Sequence, residues 1–207
     1  FSQVRGLLLD HSSPSLEVSL LKDLQVLHLA SHVLVDHQNP WQSAINLPFV
    51  SPTGQAGPLT AATLLEADLS NELTFLNGCG TASGRVLSGE GSSSLATAFL
   101  AGGSHCVVAT QWPVDDLTAR NFSAAFYSFL EKGQTIGMAV TSARGTLRQK
   151  PETAGPLQWG AYVVVGDGDK TLELEPRKHP WRNAGIGFLT GGLILAALAV
   201  ALRRNRI

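Results

Sequence analysis

Two residues of this chain stand where a covalent reaction could begin. Cys79 lies between Gly78 and Gly80, just after the apolar run 72–76 and Asn77. His32 follows a second apolar run, 24–30. A thiol with a pKa of about 8.5 is a weak nucleophile at neutral pH until an imidazole takes or shares its proton. The same imidazole can return that proton to a leaving amine. Glycines on both sides let a substrate backbone approach the sulfur and leave N–H groups free to hold an oxyanion. Residue types and spacing alone leave two readings open: Cys79 and His32 as a catalytic pair, or a strand-end cysteine packed under a loop.

The remaining reactive residues weigh less. Cys106 opens the run Cys-Val-Val-Ala inside an apolar stretch, the usual setting of an inert buried thiol. His28 and His32 share one face of a strand, or stand four apart on a helix, as a metal pair would. No glutamate lies between them as in HExxH and no CxxC supplies sulfurs, so neither a metal nor any other cofactor is expected. His28, inside an apolar run, reads as a core histidine with a backbone partner. Asp115 and Asp116 precede a helical pattern, and an N-cap accounts for only one of them. The other is available to face a cationic side chain of a substrate.

These groups need a frame. Four continuous apolar runs, 24–30, 72–76, 106–110 and 161–165, predict buried strands of a parallel sheet covered on both faces. Helical patterns lie at 60–67, 92–101, 116–132 and 134–149. Strands alternating with helices give an α/β class. In such sheets chemistry gathers at the carboxyl ends of the strands. That rule selects 31–33, 77–80, 111–116 and 166–167, so the histidine and the cysteine fall on loops leaving two strands.

The whole chain sets further bounds. Its 207 residues, 44% hydrophobic and 15% charged, suffice for one domain with a real core. A net charge of −1 argues against nucleic acid as a partner. Two cysteines without a CxxC predict a reducing compartment. The chain opens on Phe1 with no signal-peptide pattern, which predicts the C-terminal part of a longer protein. Residues 185–202 carry no charge and are followed by Arg203, Arg204 and Arg206. As a helix they would rise roughly 27 Å, close to a bilayer core of about 30 Å. With Trp181 as an interfacial aromatic, this predicts a single-pass membrane anchor; a buried terminal helix is the alternative. The expected organisation is a domain over 1–166, a polar linker over 167–182, and a transmembrane helix with a basic tail over 183–207.

The motifs taken together resemble a family. LHLASH at 27–32, FLNGCGTASG at 75–84, GEG at 89–91 and LATAFLAGG at 95–103 resemble the CHAT domain, a caspase-like and separase-like cysteine peptidase module. So do VVATQWPVDD at 107–116, AFY at 125–127 and WGAYVVVG at 159–166. The resemblance implies a caspase-like three-layer α/β sandwich with a mostly parallel sheet. It implies His32 as general base and acid, Cys79 as nucleophile, and the backbone N–H groups of Val33 and Cys79 as the oxyanion hole. It implies a protein or peptide substrate lying as an added strand along the cleft. By the same resemblance Asp116, with Asp115 in reserve, faces a basic side chain, and cleavage follows Arg or Lys. An upstream TPR-type sensor region and a cytoplasmic peptidase domain are further expectations. The chain departs from the family pattern at Val33, where glycine is usual, and at Asn77-Gly-Cys-Gly80, where Ser-Ala-Cys-Glu is common. Only 23 residues precede the histidine run, which allows for a sheet incomplete at its N-terminal side. These departures support a second reading, a scaffold or interaction module that keeps the fold without turnover.

Overall fold

The apolar runs become the strands of a central sheet in the computed structural model, which describes residues 16–22, 24–50, 54, 56–87 and 91–174. In chain order the elements begin with β1 (Leu16–Glu17), β2 (Val26–Ala30), β3 (Val33–Leu34), β4 (Ala44–Val50), β5 (Ala56–Thr60) and α1 (Ala61–Leu65). Next come β6 (Leu73–Asn77), β7 (Arg85–Leu87), β8 (Gly91–Ser93), α2 (Leu95–Ala101) and β9 (Cys106–Thr110). The chain then runs through α3 (Asp116–Leu130), α4 (Ile136–Arg148), α5 (Pro156–Trp159) and β10 (Tyr162–Gly166).

The central sheet has the order β10-β9-β6-β2. β2, β6 and β9 run parallel, as expected. The expectation is corrected at the fourth strand, since β10 pairs antiparallel with β9, Tyr162 opposite Thr110. An uninterrupted apolar run reports burial on both faces and carries no direction.

Side chains leave this sheet alternately into two cores. Leu27, Leu76, Val107 and Ala109 meet Leu95 and Phe99 of α2 and Phe49 and Leu59 of β4 and β5. Leu73, Phe75, Cys106, Val108 and Tyr162 meet Phe122 and Phe126 of α3 and Ala139 and Ala143 of α4. Three layers result, with the sheet in the middle. Phe75 sits at the centre of the second core. It is 5.1 Å from the Phe126 ring, 5.7 Å from Tyr127 and 5.9 Å from Tyr162. Tyr162 in turn stacks on Phe122 at 3.6 Å. Cys106 is fully buried in this layer, and desolvation, with the nearby Asp167 charge adding to it, raises its thiol pKa to about 12.

A second sheet, in which β4 pairs with β1, β3 and β5, had no clear signal in the sequence. β4 contains Pro48 and β5 contains Gly57 and Pro58, residues that ordinarily argue against a strand. The structure accommodates both prolines where the β4–β5 register shifts, between the Ile45–Leu59 and Phe49–Gly57 pairs.

His28 also departs from expectation. β2 is the edge of the central sheet, and His28 is exposed rather than buried. Its partner is a side chain, the Tyr127 hydroxyl, 3.0 Å from Nδ1. Its ring lies 4.7 Å from that of Phe75, and this packing desolvates the imidazolium and lowers its pKa. The open edge keeps water near and limits the size of that shift.

Residues 167–174, in the stretch read as the start of a polar linker, continue along the domain. Gly137 N–H donates to the Gly168 carbonyl at 2.8 Å and Ile136 N–H to that of Lys170 at 3.0 Å. Leu172 is buried, and Lys170 pairs with Glu72 at 3.0 Å. Among the described residues no helix is long and apolar enough to cross a membrane, and the segment 185–202 lies outside them.

Candidate active site

The parallel pairing of β2 with β6 decides which loops meet. Its register ends on Ala30 opposite Asn77. Both strands stop there, so Ser31-His32 and Gly78-Cys79 emerge side by side at the carboxyl end of the sheet. A Cβ built on Gly78 would come within 2.6 Å of Val33 Cγ2 and 2.8 Å of the Ser31 carbonyl oxygen. The turn carrying Cys79 is thus pressed against the residues on either side of His32, at a spacing only glycine permits. The next residue but one, Gly80, has φ +66°, a left-handed conformation that glycine adopts without strain. Cys79 and His32 are both exposed.

The backbone around Val33 bears on the oxyanion hole. Asn46 N–H donates to the His32 carbonyl at 2.9 Å, and Val33 pairs with Ile45 across β3 and β4. This pattern marks the Val33–Ile45 pair as the non-hydrogen-bonded kind, which turns the Val33 N–H away from β4. The glycine expected at position 33 is therefore not needed for a strand conformation. The valine side chain instead packs against Gly78.

The two aspartates, left open by the sequence, separate in the structure. Asp115 is the N-cap of α3. Its Oδ1 accepts the Thr118 N–H and its Oδ2 the Thr118 hydroxyl, both at 2.8 Å. These bonds, that from the Thr118 N–H foremost, hold its carboxyl below the ordinary aspartate range. Asp116, the first residue of α3, is exposed and takes no part in the cap.

Several residues that sequence reasoning did not single out surround the cysteine turn. The Tyr162 hydroxyl donates to Asn77 Oδ1 at 2.8 Å. Burial raises the Tyr162 pKa, and the negative charges of Asp115 and Cys79 raise it further, which puts both groups near this phenol. Thr110, at the end of β9, bonds to Gly78, Gly80, Thr81 and Ala82. A tyrosine and a threonine within β-runs look like ordinary strand formers, so nothing local announces them. Among the described residues no group of three or more His, Cys, Asp or Glu side chains could hold a metal ion.

The arrangement offers an exposed thiol and an exposed imidazole on adjacent loops, two backbone donors beside them, and an uncapped carboxylate on a neighbouring helix. Comparison with known proteins agrees with that inventory at the level of fold and family. The CHAT domain family matches residues 5–167. Tetratricopeptide repeat protein 28 of Mus musculus is 34% identical over 112 residues, 54% of this chain and 4% of the relative's length. Its counterpart in Homo sapiens is 31% identical over 112 residues, again 4% of that protein. The chain thus matches only a small part of these curated relatives. Among solved structures, the Arg specific cysteine proteinase gingipain R is similar with a TM-score of 0.51 and 14% identity, covering 77% of this chain and 38% of that one. The mixed α/β fold with its mostly parallel sheet is caspase-like.

Proposed function

Because the chain belongs to the CHAT domain family, we propose that it is a cysteine endopeptidase working through Cys79 and His32. The observation that carries this reading is the β2–β6 register, which delivers the two residues to one edge of the sheet with Gly78 wedged against Ser31 and Val33. His32 takes the thiol proton and the thiolate attacks the scissile carbonyl. The oxyanion is held by the N–H groups of Cys79 and Val33. Collapse of the tetrahedral species expels the amine, which receives the proton from His32 and leaves a thioester. Water, deprotonated by His32, then releases the carboxylate and restores the thiol.

Substrate choice rests on Asp116. Asp115 is occupied by its cap, so Asp116 is the carboxylate available to a basic side chain before the scissile bond. The name of the similarly folded gingipain R, an Arg specific proteinase, agrees with cleavage after Arg or Lys. A charge-assisted hydrogen bond contributes about 1.5–3 kcal/mol. Asp116→Asn is therefore expected to lower kcat/KM on Arg and Lys peptides by about 10–100-fold, with uncharged peptides little affected. A profile with Asp or an apolar residue before the cleaved bond would reject the assignment.

The proposed organisation keeps the domain over 1–166, a linker over 167–182 and an anchor over 183–207. Residues 185–202 span the bilayer and the thiol faces the reducing, cytoplasmic side, downstream of a TPR-type region. The named relatives are tetratricopeptide repeat proteins, which supports that last element. Protease protection in membranes checks the orientation.

A thiol-directed activity probe tests the enzyme reading. Labelling is expected to vanish in Cys79→Ala and to persist in Cys106→Ala. The second reading, a scaffold without turnover, is favoured by Val33 in place of glycine, and absence of labelling in the full-length protein would establish it.

A further inference from the structure

We infer that Thr110 is a positioning residue for the Cys79 nucleophile, its hydroxyl bracketing the cysteine by holding the carbonyl before it and the N–H after it. The inference rests on the peptidase reading and adds to it the device that keeps the sulfur in place. Thr110 Oγ1 donates to the Gly78 carbonyl at 2.5 Å and accepts the Gly80 N–H at 3.1 Å. One O–H and one lone pair are used, and these two bonds span Cys79 from either side. The main chain of the same residue continues the hold. Its N–H donates to Thr81 Oγ1 at 3.0 Å and its carbonyl accepts the Ala82 N–H at 2.8 Å.

Thr110 is itself immobilised. It is fully buried, and β9 lies between β6 and β10 with Tyr162 directly opposite Thr110. A turn with glycines on both sides of its cysteine would otherwise be the most pliable stretch of the site. With the Gly78 carbonyl and the Gly80 N–H both fixed, the two peptide planes flanking Cys79 cannot rotate independently. The Cys79 N–H stays outside the bracket and is left for a substrate carbonyl. When sulfur and oxyanion donor belong to one residue, rotation of that residue spoils both at once, and small misplacements cost rate steeply.

Thr110→Val keeps the shape and removes the hydroxyl, leaving the Gly78 carbonyl and Gly80 N–H without partners. Thr110→Ser keeps both bonds. In the full-length protein, Thr110→Val is expected to speed hydrogen exchange over residues 78–82 by at least about tenfold. It should lower kcat on an Arg or Lys peptide by about 10–100-fold with KM changed less than about threefold. Thr110→Ser should restore exchange and kcat to within about threefold of the parent. If the valine variant does not melt cooperatively, Thr110→Ala, which leaves room for a water, takes its place. Unchanged exchange over 78–82, or a serine variant no better than valine, overturns the inference. A parent protein that shows no turnover overturns the peptidase reading instead, and the exchange comparison still decides the bracket.

Discussion

Alanine at position 32 is expected to lower kcat on a susceptible peptide by about 10²–10⁴-fold while leaving KM within a small factor. His32 serves twice in the proposed cycle, taking the thiol proton before attack and protonating the amine that leaves. Without it the Cys79 thiol remains protonated at neutral pH, and no other imidazole among the described residues stands on a loop beside the cysteine. His28, four residues earlier, is tied to Tyr127 on the edge strand. Because His32 is exposed, its removal should leave the melting temperature nearly unchanged. Cys79→Ala should lose at least as much activity, and the double variant little more than either single one, since groups acting as a unit are strongly non-additive. Steady-state kinetics with a thermal melt of each variant makes the check. Turnover surviving intact in His32→Ala would end the dyad assignment.

Phe75→Ala carries the largest expected effect on stability. Phe75 is fully buried on β6, two residues before Asn77 and four before Cys79. Its ring meets those of His28, Phe126, Tyr127, Tyr162 and Phe122 at centroid distances from 4.7 to 6.3 Å. Truncating such a residue removes its transfer free energy and leaves a cavity, together about 3–5 kcal/mol. For a domain of this size that corresponds to a fall in Tm of roughly 6–20 °C. It is also a large part of a typical stability of about 5–15 kcal/mol. Phe75→Leu should cost much less. Urea and thermal melts decide, and a shift in Tm below about 2 °C for the alanine variant would show that the aromatic cluster does not anchor β6.

The frame of the site was legible because its strands are continuous apolar runs. The run 72–76 became Leu73–Asn77, and 106–110 matched its strand residue for residue. Helix α3 followed from the stripe Phe122, Phe126 and Leu130, all of them buried. What stayed hidden has physical reasons. Strand direction is set by the connection after Trp159, not by the residues of β10 themselves. β4 and β5 carry prolines at a register shift, where pairing geometry tolerates what strand propensity forbids. His28 looked like a core residue because its neighbours are apolar, yet an edge strand leaves one side open. Around the cysteine, the pair of aspartates could be noticed but not divided, since only the Thr118 bonds reveal which of them caps the helix. Thr110 and Asn77 act through partners distant in sequence, Thr110 some thirty residues away and Asn77 further still, and no local pattern encodes such contacts.

The burial of Cys106 gives the chain a second use for its sulfur count. With one thiol open to reagent and the other sealed beneath α3 and α4, brief alkylation of the native protein should add a single adduct per molecule. The second adduct can form only when the aromatic layer opens, so the spacing between the two events timestamps unfolding from inside the molecule, without any introduced dye or tag.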